Sequence, residues 1–187
     1  MGNDKEEMPD ARYSFKAGYY GNNIHNPGLV VGADFILWGK EKYRGKLFDR
    51  NEKIYKGKRQ WIADADAGFF VDPRTFTGSF LTCGIVTKRT YKNQFNYHFG
   101  FSPLAFFHTA FPETYNVDEA GNVKKVFLPG RNYYAPTFTW GVGKDAKNKK
   151  IDAWYLDLDV MFLSPYNTFV MPLFSVEFGY RFDLNFE

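Results

Sequence analysis

From Phe169 to Phe186 the chain alternates without a break. Val170, Pro172, Phe174, Val176, Phe178, Tyr180, Phe182, Leu184 and Phe186 fall on one side, and Met171, Leu173, Ser175, Glu177, Gly179, Arg181, Asp183 and Asn185 on the other. Successive side chains of a β-strand point to opposite faces, so a period of two predicts a strand. Strands of ordinary sheets run to about five or six residues. A tilted strand that crosses a bilayer needs about 9–11 residues in hydrocarbon, and the length here fits that use.

The same period recurs upstream. Tyr13, Phe15, Ala17 and Tyr19 alternate with Ser14, Lys16 and Gly18 before a turn-rich stretch from Gly21 to Gly28. A second strand, from about Leu29 to Trp38, sets Leu29, Val31, Ala33, Phe35 and Leu37 against Asp34. A third sets Trp61, Ala63, Ala65, Ala67, Phe69 and Val71 against Asp64 and Asp66. After Asp72-Pro73-Arg74-Thr75, a fourth strand from Phe76 to Thr87 has two similar faces and no orientation of its own. The fifth places Phe95, Tyr97, Phe99, Phe101, Pro103, Ala105 and Phe107 on one face, with Asn96, His98, Gly100 and Ser102 on the other. A long connection, 109–131, carries a turn at Asp118–Asn122. The sixth strand has Tyr134, Pro136, Phe138, Trp140 and Val142 outside Thr137, Thr139 and Gly141. The seventh has Trp154, Leu156, Leu158, Val160 and Phe162 opposed to Tyr155, Asp157 and Asp159. Eight strands joined by hairpin-like connections predict an all-β, antiparallel, up-and-down barrel, because an even count lets the sheet close and lose its edges.

Alternation does not say which face is inside. An eight-stranded barrel is just wide enough for side chains to fill it, and the apolar faces carry far more rings than such a bore holds. Those faces must therefore point outward. The other face is rich in Gly, Ser, Thr and Asn with scattered charges, as a narrow polar lumen requires. A soluble lipocalin-like carrier would show the reverse arrangement, with more Lys and Glu outside.

Composition sharpens this picture. Aromatic residues make up 20% of the 187 residues, which favours strands. Mean hydropathy is negative and no apolar run reaches 18 residues, so no helical span is expected, a test that a β-barrel escapes. The polar segment 1–11 precedes a single barrel domain over 12–187 and lacks the apolar core of an export signal, so the expectation is either a cytoplasmic chain or a mature one whose export signal has been removed. The lone Cys83 forms no internal disulfide. Net charge is only +3, and no basic groove accompanies the aromatic residues, so nucleic acid is not expected as a partner. Sixteen of the 24 Lys and Arg lie in three connections, 40–59, 88–94 and 143–150. All four tryptophans flank these connections. Trp61, Trp140 and Trp154 have the parity of an outward girdle at one membrane interface, and Trp38 has it only if a bulge intervenes.

The ending Gly179-Tyr180-Arg181-Phe182-Asp183-Leu184-Asn185-Phe186 resembles the C-terminal strand signal of bacterial outer-membrane proteins, with Gly179, Tyr180, Phe182, Leu184 and Phe186 as its elements; Glu187 after the final aromatic departs from that pattern. From about residue 12 the chain resembles the class of small eight-stranded outer-membrane barrels. The resemblance implies location in the cell outer membrane, contact with its lipid, and both termini in the periplasm. The three basic connections would then form a periplasmic rim that docks an acidic protein or anionic headgroups, or is simply a solvated charged rim. The length of 40–59 implies either that strands two and three project as a hairpin or that the sidedness is reversed.

The lumen-facing charges are Lys16, Asp34, Asp64, Asp66, Asp157, Asp159, Glu177, Arg181 and Asp183. Buried carboxylates need cations, donors or water beside them, and Lys16 and Arg181 fall on the two strands that meet on closure. A structural polar network filling the bore is expected, in place of a cation path. His98 and Ser102 share one face, with Asp64 or Asp66 as a conceivable third member of a hydrolytic set, although the local sequence matches no such enzyme. No spacing suits a metal, and no cofactor is expected. The leading expectation is a non-enzymatic structural or interaction subunit of an envelope complex. A narrow channel, a small-ligand barrel, a lipid A-modifying enzyme and a soluble carrier are the alternatives.

Overall fold

The computed structural model describes residues 13–23, 25–45, 53–73, 76–111, 115–118, 121–125, 129–145, 153–167 and 169–184. They form β1 (Tyr13–Asn22), β2 (Asn26–Gly45), β3 (Lys53–Val71), β4 (Thr77–Tyr91), β5 (Phe95–Ala110), β6 (Tyr115–Val117), β7 (Val123–Lys125), β8 (Gly130–Tyr134), β9 (Thr137–Lys144), β10 (Ala153–Tyr166) and β11 (Phe169–Leu184). No helix occurs among the described residues.

Each wall strand pairs antiparallel with the next, and β11 pairs with β1, so the sheet closes. β8 and β9 form one wall strand broken at Ala135–Pro136, which gives a ring of eight. Proline has no N–H for the ladder. The break is bridged on both sides, since Ala135 N donates to Ala105 O at 2.8 Å and Phe162 N donates to Pro136 O at 3.0 Å. Closure satisfies the backbone groups that the first and last strands would otherwise leave exposed.

Two wall strands overrun the ring. β2 stays paired with β3 out to Gly45↔Lys53, whereas β1 reaches only Tyr13↔Phe35 and β4 only Gly57↔Tyr91. Strands two and three thus project as a hairpin arm beyond the end at which the described chain begins and finishes. Residues 46–52 and 146–150 of the basic connections lie outside the described residues, while 88–94 is β4 running on to Tyr91 and then a tight turn.

The expected faces are observed with informative exceptions. Phe15, Phe69, Phe99, Phe174, Phe178, Phe182 and Leu156 are exposed on the outer wall. β4, which the sequence left without an orientation, points Phe80, Thr82, Val86 and Lys88 inward. In β5 the face changes partway. Cys83 pairs with Leu104 and Ile85 with Phe101, so Ser102 and Pro103 oppose the single residue Gly84. This bulge turns every later residue over. Ala105 and Phe107, expected outside, are therefore buried inside, and Leu104 and Phe106 are exposed in their place. A second irregularity, between Ile36 and Trp38, brings Trp38 to the outer face opposite Trp61. The long connection holds the small β6–β7 hairpin, turned at Asp118, whose carboxylate accepts from the backbone N–H of Asn122 at 2.8 Å.

The interior has two zones. Around the tight turns that join β1 to β2, β3 to β4 and β10 to β11, Tyr20, Phe70, Phe80, Phe107, Tyr133 and Leu163 pack into an apolar plug. Tyr20 stacks on Phe70 at 5.8 Å between ring centroids, and Phe70 on Phe107 at 5.9 Å. The expectation of a wholly polar lumen is corrected here, because inward positions near those turns are aromatic. Toward the basic end the bore is lined by ionisable side chains.

Candidate functional site: the ionised bore

Eight of the nine predicted lumen charges are buried inside the ring: Lys16, Asp34, Asp64, Asp66, Asp157, Asp159, Glu177 and Arg181. Asp183 pairs through its backbone with Ser14, and its side chain lies outside the described set. The registers explain why these residues meet. Lys16 lies directly opposite Arg181 across the closing pair, Asp34 opposite Asp64, and Asp157 opposite Glu177.

Lys16 reaches over β2 to its partners on β3. Its Nζ lies 2.7 Å from Asp66 Oδ2 and 3.6 Å from Asp64 Oδ2. Between them stands Gly32, where an added Cβ would come within 2.6 Å of Lys16 Cε, so the absence of a side chain opens the path. Arg181 Nε forms an ion pair with Asp34 Oδ2 at 3.2 Å. Its guanidinium carbon also lies 5.1 Å from the centre of the buried Tyr155 ring, with Lys16 Nζ at 5.9 Å from the same ring. The Tyr155 ring thus supplies cation–π attraction to both cations.

His98 and Asp157 form a second unit. The Nε2–H of His98 donates to Asp157 Oδ1 at 2.8 Å, and both side chains are almost fully buried. Gly141 makes the contact sterically feasible: an added Cβ there would meet His98 Nε2 at 2.5 Å. Asp64 and Asp66, the acids that the sequence suggested for His98, instead face Lys16. Ser102 is four residues along the strand, about 13 Å at the usual rise, so no Ser-His-acid set is assembled. Asp159 accepts from Thr139 Oγ1 at 2.6 Å. One oxygen each of Asp66 and Asp159 and the Tyr20 hydroxyl have no described hydrogen-bond partner. They line a cavity of about 10 Å³ where the plug meets the ionised zone, the size of one water molecule.

At the basic end Asp145, just after β9, is clasped to β4 and β5. Lys88 Nζ lies 2.6 Å from Asp145 Oδ1, Thr90 Oγ1 donates to Asp145 Oδ2 at 2.9 Å, and Asn96 Nδ2 donates to Oδ1 at 2.8 Å. Burial pushes the Asp145 carboxyl up, but the Lys88 ammonium and the donated hydrogen bonds outweigh it and hold the group below the usual carboxylate range.

On the outer wall Trp38, Trp61 and Trp140 are exposed and Trp154 is half-buried. Tyr180 and Phe182 of the C-terminal pattern also face outward and Gly179 is buried, while the side chain of Leu184, together with Phe186, lies outside the described set. A groove of about 650 Å³ runs among Phe99, Phe138, Trp140, Leu158, Phe174 and Val176. No group of three or more His, Cys, Asp or Glu among the described residues is arranged to hold a metal.

Sequence reasoning missed the His98–Asp157 pair, the Asp145 clasp and the plug. The inward glycines were the available signal for the first, since a small residue facing a large one across a narrow bore marks where the large one lies. No protein-family model matches this chain, and no curated protein matches it in sequence.

Proposed function

We propose that the protein is an integral outer-membrane β-barrel with a filled bore, acting as a structural or interaction subunit of an envelope complex and carrying out no catalysis of its own. The observation that carries this reading is the inverted distribution of polarity. Phe174 is 56% exposed and Leu104 62%, whereas Asp157 is 2% exposed and Glu177 5%. Each large apolar side chain left in water forgoes about 1.5–3 kcal/mol of burial, and the outer wall carries many. In hydrocarbon the same wall is solvated, and the backbone of a closed ring has no unsatisfied edge.

Three features favour a filled barrel over a channel: the aromatic plug, the cross-strand ion pairs, and the large rings lying across the bore. The groove among Phe99, Phe138 and Trp140 has a shape that an acyl chain fills. Interaction with other envelope components falls to the basic rim and the projecting β2–β3 arm, whose side is the periplasm by resemblance to the small-barrel class.

The natural thiol provides the test. Cys83 sits on the outer wall between the exposed Leu81 and Ile85. In lipid vesicles a charged maleimide should label it at least tenfold more slowly than after unfolding in denaturant, and the folded form should migrate faster than the boiled form on a gel. Rapid labelling of a monomer soluble in plain buffer would refute the membrane reading. Planar-bilayer recordings should show no steady conductance, and an ohmic pore would favour the channel alternative.

A further inference from the structure

The outer wall above the tryptophans carries a row of cations. Lys40 on β2 is opposite Arg59 on β3, Arg59 is opposite Arg89 on β4, and Arg89 is opposite Tyr97 on β5. The outward direction follows from their neighbours, since Gln60 and Lys88 are buried inside the ring. Like charges directly opposite each other on adjacent strands destabilise a sheet. Both guanidiniums rest on aromatic rings. Arg59 Cζ is 5.7 Å from the centre of the Trp61 ring, and Arg89 Cζ is 5.8 Å from that of Tyr97. Stacking fixes the plane of a guanidinium while leaving its N–H fork free for a planar or tetrahedral anion.

We infer that Arg59 and Arg89 form a binding site for the phosphate of an anionic glycerophospholipid, whose acyl chains run down the wall past Trp61. The inference rests on the membrane reading above. Neighbouring strands are about 4.8 Å apart, so one phosphate set between two directly opposed arginines can accept from both forks. That spacing favours a single phosphodiester over a headgroup with two distant phosphates. The tryptophans place the site at headgroup depth, because indole rings settle at the boundary between hydrocarbon and water. An anion there also removes the repulsion along the row, so the lipid should stabilise the sheet locally as well as bind it.

The test uses the full chain in neutral phosphatidylcholine bilayers doped with brominated phosphatidylglycerol, reading quenching of tryptophan fluorescence against brominated phosphatidylcholine. The parent should show preferential quenching at low mole fractions of the anionic lipid, weakening as salt rises. The double substitution Arg59→Gln with Arg89→Gln should lower the apparent affinity about tenfold or more, as expected for losing charge-assisted hydrogen bonds. Lys124→Gln, on the exposed β7 strand and outside the basic rim, should change it less than twofold. Heat-modifiable mobility of each variant separates loss of the site from loss of the fold. Equal quenching by both brominated lipids in a parent protein that is folded and membrane-embedded would overturn the site and leave the barrel reading intact. A response to lipid A phosphates with none to phosphatidylglycerol would likewise overturn it. If the parent fails to enter bilayers, the membrane reading itself falls.

Discussion

The plug and the ionised zone fill the same cylinder by opposite means. Near the tight turns, Tyr20, Phe70, Phe80 and Phe107 exclude water by packing ring on ring. A few residues further along the same strands, Lys16, Asp66, Asp34 and Arg181 fill the bore with charge and hold it by pairing. Packing tolerates small errors, because a displaced ring still touches its neighbours. Buried charge does not, because removing one partner leaves the other unsolvated. The barrel is therefore sealed at one end by a forgiving zone and held in register by an exacting one.

Substitutions can set the two zones against each other. Lys16→Met removes the cation shared by Asp66 and Asp64 and should have the largest effect, a loss of about 3–5 kcal/mol. It would be measured as a fall in the urea midpoint of the folded gel form in detergent, and a loss under 1 kcal/mol would mean that the charged zone is not tightly paired. Phe107→Ala should come next, at about 3–4 kcal/mol for a large cavity at the plug. The same titration reports it, and an unchanged midpoint would show that the plug is dispensable for stability. Gly141→Ala presses a methyl group onto the His98–Asp157 pair and should cost about 1–3 kcal/mol; shifted imidazole resonances would confirm the site of damage. The smallest effect is expected at the rim. Asp145→Asn should cost at most about 1 kcal/mol, since the pair is partly exposed. Because the folded carboxyl titrates below its unfolded value of about 3.9, its stabilisation is complete above that pH and is lost as pH falls through the folded value. The variant and the parent should therefore converge in stability under acid.

Parity carried most of the ring, and its failures have local causes. The Ala/Asp alternation of β3 reads directly as one face out and one face in, and closure alone brings the strands of Lys16 and Arg181 together. Trp38 needed one extra residue in its strand, and the structure has it. Beyond Pro103 the period reverses, and nothing in Phe99, Phe101, Ala105 and Phe107 read alone announces the change. The plug was hidden for a different reason. A period of two reports which face a residue occupies but not how far along the axis it sits, so it does not show that Tyr20 and Phe80 belong to a separate aromatic layer of the bore. The partners of His98 and Asp145 depend on strand register across the ring, which only the closed sheet defines.

The pairing of the first wall strand with the last has a temporal consequence. Lys16 and Arg181, neighbours in the finished ring, are far apart in sequence, so neither reaches its place until β11 has been made and meets β1. Until that seam zips, Asp34 and Arg181 have no means of neutralising each other, and the half-made sheet is an open trough of mismatched charge with high contact order and slow maturation. Seam formation and charge balance thus become a single event that waits on β11.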